Sequence, residues 1–202
     1  MTNARPTVPE DVLLSWGAAY KKVKKGDVIF MEGSDACFYY QLVSGSVRWV
    51  NINEDGREFI QIMIEEGESF GELPLFDNLP YAATAIADND CILLRLCKTH
   101  FLQMLRSNYD IHFNFTRLMV ERLRFKFLTL REIAYNNPEQ RISNLLHYYK
   151  KNQGISDKLV KLRYTRQQIA DMTGLRVETV IRTIRNLHEK GSLVIKRGKV
   201  FY

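Results

Sequence analysis

The apolar residues change their period once along the chain, close to Cys97, and that switch constrains the fold more than any other feature. Upstream, apolar runs at residues 28–30, 38–43, 47–52 and 59–64 are separated by turn residues at Gly26 and Asp27, Gly33 and Ser34, Gly45 and Ser46, Asp55 and Gly56, and Gly67. A recurrence of about 11 residues suits a small antiparallel sandwich or barrel, with Asp55-Gly56 as a hairpin turn. Downstream, from Lys98 to Ala134, apolar residues recur at helical spacing. The chain is therefore mixed, strands first and helices after, and its 202 residues leave room for one large domain or two small ones.

Within the helical stretch, Val120, Leu123, Phe127, Leu130 and Ala134 form one seam, while Ile111, Phe115, Leu118 and Phe125 form a second apolar face. Two faces need two partners. Either one covers the sandwich and the other pairs with a second copy across a two-fold axis, or both pack within one subunit. Asn137 as N-cap, Pro138 at the first helical position and Gln140 three residues after the cap predict a new helix over 138–151, and with it a second domain. A polar stretch at 152–158 then leads into a short strand at 159–162.

Charge divides at the same place. Residues 1–137 carry 15 Lys+Arg against 18 Asp+Glu, a net −3, whereas residues 138–202 carry 14 against 5, a net +9. Such a segment is the electrostatic footprint of a nucleic-acid binder, because each Lys or Arg that meets a phosphate releases counterions. A merely soluble basic domain would share it. With 46% hydrophobic and 26% charged residues the chain is an ordinary globular protein, neither disordered nor fibrous. No apolar run approaches the ~18 residues of a membrane span, and residues 1–16 lack a signal-peptide pattern, so a cytoplasmic protein with no membrane partner is expected. Cys37, Cys91 and Cys97 lack C-x-x-C spacing and read as reduced thiols.

Residues 165–187 carry the functional signal. Thr165 and Gln168 form a T-x-x-Q capping box that opens a helix. Ala170 is small where two helices approach, Gly174 stands where the turn needs a positive φ, and Val180 buries the second helix, which is the spacing of a helix-turn-helix. At about 100° per residue, Glu178, Arg182, Arg185 and Glu189 share one sector of that second helix, opposite Val177, Val180, Ile184 and Leu187. Arg pairs bidentately with guanine O6 and N7, and Glu accepts from cytosine N4, so Glu178 and Arg182 match a G·C-containing step in a major groove. The same two residues would otherwise make an i,i+4 ion pair on a solvated face. Residues 191–202 read as a strand, a turn at Lys196-Arg197-Gly198-Lys199 and a second strand, which completes a winged helix-turn-helix. Lys196, Arg197 and Lys199 on the wing, with Thr165, Arg166, Gln167, Arg176 and Thr179 around the two helix N-termini, are the expected phosphate contacts; these position the domain without specifying sequence.

Over nearly its whole length the chain resembles the Crp/Fnr transcription regulators. The stretch from Gly26 to Gly33, the Gly45 and Gly67 turns and Phe70-Gly71-Glu72-Leu73 look like that family's cyclic-nucleotide-binding β-roll, and residues 165–202 look like its winged helix-turn-helix. The resemblance implies an α+β fold in three parts: a double-stranded β-helix (β-roll or jelly-roll) sensor domain at 1–107, a central dimerisation helix and hinge at 108–137, and a winged helix-turn-helix DNA-binding domain at 138–202. It implies a homodimer on double-stranded DNA, with one recognition helix in each half-site of a near-palindromic operator, centres about 34 Å apart. It also implies an effector that shifts the population of DNA-binding orientations, and a contact with RNA polymerase. The segment Val177-Glu178 to Ile181-Arg182 is similar to the Fnr branch's V-E-x-x-S-R, with Ile181 in place of the serine, which suggests a TTGA-like half-site core and Ile181 against a thymine methyl.

The sensor half departs from the family pattern. Phe70, Gly71, Glu72, Leu73, Tyr81, Ala82, Ala83 and Thr84, with Phe127 from the helix, are the positions the resemblance assigns to an effector pocket. Cyclic-nucleotide binders follow the Gly-Glu-Leu segment with an arginine for the cyclic phosphate, but residues 78–94 contain no Arg, and Tyr81 stands in that stretch. A buried phosphodiester would lack its charge partner, so cyclic AMP is not the expected effector. A different nucleotide, a small molecule or a haem-bound gas is the alternative. Lys126 and Phe127 likewise stand where cyclic-AMP-responsive members place a hydroxyl pair. Scattered histidines, absent altogether from residues 25–97, and three isolated cysteines supply no metal, iron–sulfur or cupin-like site. With no Ser-His-Asp, Cys-His or phosphate-loop constellation either, neither a cofactor nor enzymatic activity is expected.

Overall fold

A computed structural model, which describes residues 6–152 and 159–202, has strands first and helices after. Helix α1 (Glu10–Ser15) leads into β1 (Ala19–Val23), β2 (Val28–Phe30), β3 (Phe38–Ser44), β4 (Val47–Ile52), β5 (Glu58–Ile64) and β6 (Ser69–Phe70). A short α2 (Leu73–Asp77) precedes β7 (Thr84–Ala87) and β8 (Cys91–Cys97). Then come α3 (Lys98–Ser107), α4 (Tyr109–Tyr135), α5 (Pro138–Asn152), α6 (Arg166–Thr173), α7 (Val177–Glu189), β9 (Val194–Lys196) and β10 (Lys199–Phe201). The chain divides into two compact units between Glu121 and Arg122, inside α4. Among the described residues no helix is long and apolar enough to cross a membrane.

In the first unit two four-stranded antiparallel sheets, ordered β1-β8-β3-β6 and β2-β7-β4-β5, share one core. Strand periodicity sorts the side chains: Tyr40, Leu42 and Leu93 point into the roll, while Tyr39, Leu94 and Leu96 point outward. The outward set is covered by Leu13 of α1, Phe101 and Met104 of α3 and Phe115 of α4, with Tyr39 stacked on Phe101 at 4.6 Å. Each such burial is worth roughly 1.5–3 kcal/mol.

The helical run expected over 98–134 is two helices rather than one. Asn108 has an extended backbone, φ −132° and ψ 92°, and its Nδ2 donates to the Met104 carbonyl at 2.9 Å, taking up one of the acceptors that the end of α3 leaves open. The second apolar face of α4 also changes partner. Ile111, Phe115 and Leu118 pack on the outward cluster of the roll, whereas Phe125 stacks on Tyr148 of α5 at 4.4 Å.

In the second unit, Asn137 Oδ1 accepts from the Gln140 N–H at 3.0 Å, the cap that starts α5. Helices α5, α6 and α7 bury Ile142, Ile169, Ala170, Val180, Ile184 and Leu187. The wing strands β9 and β10 are joined by Arg197 and Gly198, both left-handed at φ 48° and 73°, the type I′ geometry whose twist suits a two-residue hairpin. The strand expected at 159–162 is a single bridge, Lys161 to Phe201, flanked by hydrogen bonds from the Val160 and Leu162 N–H groups to Tyr202 and Val200. The polar stretch expected before it falls, over 153–158, outside the described residues.

Candidate functional site

The capping box closes in both directions: Thr165 Oγ1 accepts from the Gln168 N–H at 3.1 Å, and Gln168 Oε1 accepts from the Thr165 N–H at 2.8 Å. Gly174 ends α6 at φ 69°, where a side chain would be strained, and the chain turns into α7 through Arg176 as N-cap. Helix α7 is sharply two-faced. Val180, Thr183, Ile184 and Leu187 are buried, Val177 is half-buried, and Glu178, Ile181, Arg182, Arg185 and Glu189 are exposed on the other side. No ion pair joins Glu178 to Arg182, so both heads are available to a ligand. The buried hydroxyl of Thr183 escapes a reading based on apolar period alone.

The expected phosphate contacts lie around this ridge with different degrees of freedom. Thr165, Gln167, Arg176, Lys196, Arg197 and Lys199 are exposed, whereas Arg166 and Thr179 are half-buried. Gln167 is already engaged, its amide donating to Asp171 Oδ1 at 2.8 Å. Burial pulls the Arg166 guanidinium somewhat below its usual range, but an arginine stays charged at any physiological pH.

Inside the roll, Phe30, Tyr40, Trp49, Phe70 and Tyr81 form a continuous aromatic cluster. Burial pushes the Tyr81 hydroxyl up from its ordinary value, with Tyr40, Cys37 and Glu72 adding to the shift, so it is a neutral donor at pH 7. The Trp49 indole N–H donates to the Ala83 carbonyl at 3.2 Å, and Thr84 Oγ1 accepts from the Glu32 N–H at 3.0 Å. Of the positions assigned to an effector pocket, Phe70, Gly71, Glu72, Tyr81, Ala83 and Thr84 are buried together, while Leu73 and Ala82 are exposed. Ala82 lies in the bend just before β7, and its carbonyl accepts from Asn51 Nδ2 at 2.8 Å. The first arginine after the arginine-free stretch, Arg95, stands opposite Tyr40 in the sheet with its guanidinium 4.3 Å over the Phe38 ring.

On α4, Val120, Leu123, Phe127, Leu130 and Ala134 are all exposed, Phe127 and Leu130 at 65% and 66%. Large apolar side chains in one file on one helix are the mark of a surface meant to be covered. Among the described residues no group of three or more His, Cys, Asp or Glu is gathered as a metal would require.

An antiparallel roll, a long helix and a winged helix-turn-helix in this order define a regulator with a sensor roll and a DNA-binding head. Residues 20–108 match the cyclic nucleotide-binding domain and residues 140–201 the Crp-like helix-turn-helix domain. The chain belongs to the Crp/Fnr family of transcription regulators. It is 28% identical over 193 residues to the cyclic AMP receptor protein of Thermus thermophilus, covering 95% of this chain and 88% of that protein. It is 27% identical over 195 residues to the cAMP-activated global transcriptional regulator CRP of Pasteurella multocida, covering 94% and 93%. Among solved structures, FixK2 from Bradyrhizobium japonicum superposes with a TM-score of 0.78 at 22% identity, over 91% of each chain.

Proposed function

We propose that the chain regulates transcription as a homodimer that reads a near-palindromic operator with Glu178, Ile181, Arg182 and Arg185, and that its roll no longer takes cyclic AMP. The exposed ridge of α7 carries this reading: two oppositely charged heads with complementary base-edge chemistry, backed by a buried apolar face that fixes their direction. Thr165, Arg166, Gln167, Arg176 and Thr179, with the wing residues Lys196, Arg197 and Lys199, hold phosphates on either side and set the register. The uncovered seam of α4 supports pairing with a second copy, which places two recognition helices about one turn of DNA apart.

Loss of cyclic AMP is supported by the aromatic interior. A ring stands where a phosphate would need a cation, and a neutral phenol cannot replace a guanidinium against a buried phosphodiester. Calorimetry with cyclic AMP is expected to give no binding tighter than micromolar; tighter binding overturns this part. One observation favours a second reading, a regulator that answers to another small molecule: Glu72, Tyr81 and Thr84, three polar positions that the family resemblance assigns to an effector pocket, are all buried in the first unit.

The deciding experiment enriches random duplexes on the purified chain, with and without a metabolite extract. Two inverted half-sites in both arms are expected. Enrichment only with extract favours the second reading, and no enrichment in either arm removes the regulator reading.

A further inference from the structure

Helix α4 ends at Tyr135 and α5 begins at Pro138, so only two residues lie between the seam helix and the DNA-binding head. Free backbone carbonyls collect there, because the last turn of a helix leaves its acceptors open and concentrates negative potential. A single guanidinium gathers them. Arg141 donates from Nη2 to the Ile133 carbonyl at 2.8 Å, from Nε to the Asn136 carbonyl at 3.0 Å and from Nη1 to the Thr173 carbonyl at 3.4 Å. Ile133 lies in the last turn of α4, Asn136 directly follows that helix, and Thr173 is the last residue of α6, one step before the Gly174 turn into α7.

A second link lies beside the first. Glu132, buried on α4, accepts from Asn144 Nδ2 of α5 at 2.9 Å and also from the Asn136 amide. Seam, clasp and recognition helix all lie within the second compact unit, with only Val120 of the seam outside it.

We infer that Arg141 is a positioning residue for operator reading: its planar fork ties the end of the seam helix to the end of the first helix of the helix-turn-helix, and so fixes the separation and twist of the two recognition helices in the dimer. It touches no base and no phosphate. Guanidinium geometry is what the role needs, since one rigid plane reaches carbonyls of two helices at once, which a lysine ammonium does not. This role rests on the paired half-site reading given above.

The test uses the full chain and the duplex it enriches, compared with the same duplex carrying one base pair more or one fewer between half-sites, a change that rotates one half-site by about a tenth of a turn. Wild type is expected to lose about tenfold or more on the altered spacings. Arg141→Ala is expected to bind the native spacing about tenfold more weakly, to discriminate spacing by no more than about twofold, and to keep the wild-type salt slope, because no phosphate contact is removed. Arg141→Lys recovers only part of the discrimination, and decides the matter by the same readout if the alanine variant fails to fold. Wild-type spacing discrimination in either variant overturns the role of Arg141 and leaves the regulator reading intact. A salt slope reduced by a full contact overturns it too, by making Arg141 a phosphate ligand. Absence of spacing discrimination in the wild type itself removes the paired half-site reading and the inference together.

Discussion

The Tyr81 ring lies flat on the Phe30 ring in the interior of the roll, centroids 3.8 Å apart and planes 9° apart. Gly71 makes room for them: a Cβ at that position would come within 2.6 Å of Phe30 Cε1, and its φ of 71° favours glycine besides. Tyr81→Ala is expected to cost roughly 3–5 kcal/mol in denaturant unfolding, the range for deleting a buried aromatic ring. The space left among Phe30, Tyr40 and Phe70 should accept phenol, raising the midpoint of the variant but not of the wild type. A midpoint that phenol leaves unmoved would mean that the roll collapses onto the gap.

Arg182→Ala is expected to weaken binding to the enriched duplex by ~1–3 kcal/mol and to flatten base preference, since it removes a bidentate contact. Lys199→Ala should weaken every sequence alike and lower the salt slope by about one. Fluorescence anisotropy on cognate and scrambled duplexes over a salt series separates the two. Equal losses on both duplexes for Arg182→Ala count against base reading.

The helix-turn-helix is legible in the sequence because its determinants are local. A Thr165–Gln168 box and a left-handed Gly174 are written within a few residues and need no tertiary context to act. The break at Asn108 does not follow from the apolar period, which continues through Phe101, Leu105 and Phe115 while a single side chain turns back on Met104; a boundary at 107/108 comes only with the family resemblance. The buried acids Glu72, Glu132 and Asp171 are invisible for a related reason: hydropathy patterning sends carboxylates to water, and only the assembled neighbours show otherwise. Phe125 reads correctly as buried, but its partner Tyr148 depends on how α5 folds back.

Arg197 adopts a left-handed backbone, φ 48°, which costs a non-glycine residue about 1 kcal/mol and costs asparagine less. Arg197→Asn should therefore leave the chain as stable or slightly more so in thermal melts, while the salt slope on DNA falls by about one. A variant that is clearly less stable contradicts the backbone argument, and one that binds DNA with an undiminished slope contradicts the assignment of this tip to phosphate.

Leu130 is exposed on the seam, so Leu130→Glu should barely disturb the fold of one subunit, within about 0.5 kcal/mol. In sedimentation it should convert a dimer to a monomer by placing like charges across the helix pair. An unchanged dimer mass would move the pairing surface elsewhere.

Burial alone would raise the pKa of Glu132, but hydrogen bonds from Asn144, Asn136 and Arg131 outweigh it and hold the carboxyl below its usual range. A carboxyl lowered on folding contributes stability that is complete above its unfolded value and is lost as pH falls through the folded one. The stability gap between wild type and Glu132→Gln should therefore narrow on acidification below the ordinary carboxylate range, in urea melts at several pH values. A gap independent of pH would leave the charge of Glu132 without a role in the clasp.

Leu123, Phe127 and Leu130 leave α4 with bulky side chains facing solvent, which in the proposed dimer a second copy covers. In that proposed dimer abundance is itself an input: when the chain is scarce, occupancy of a promoter rises with the square of copy number, so a modest change in synthesis is amplified into a threshold. On the proposed reading, in which the roll with Phe30, Tyr40, Phe70 and Tyr81 packed inside it takes no cyclic AMP, that threshold is a control that needs no effector.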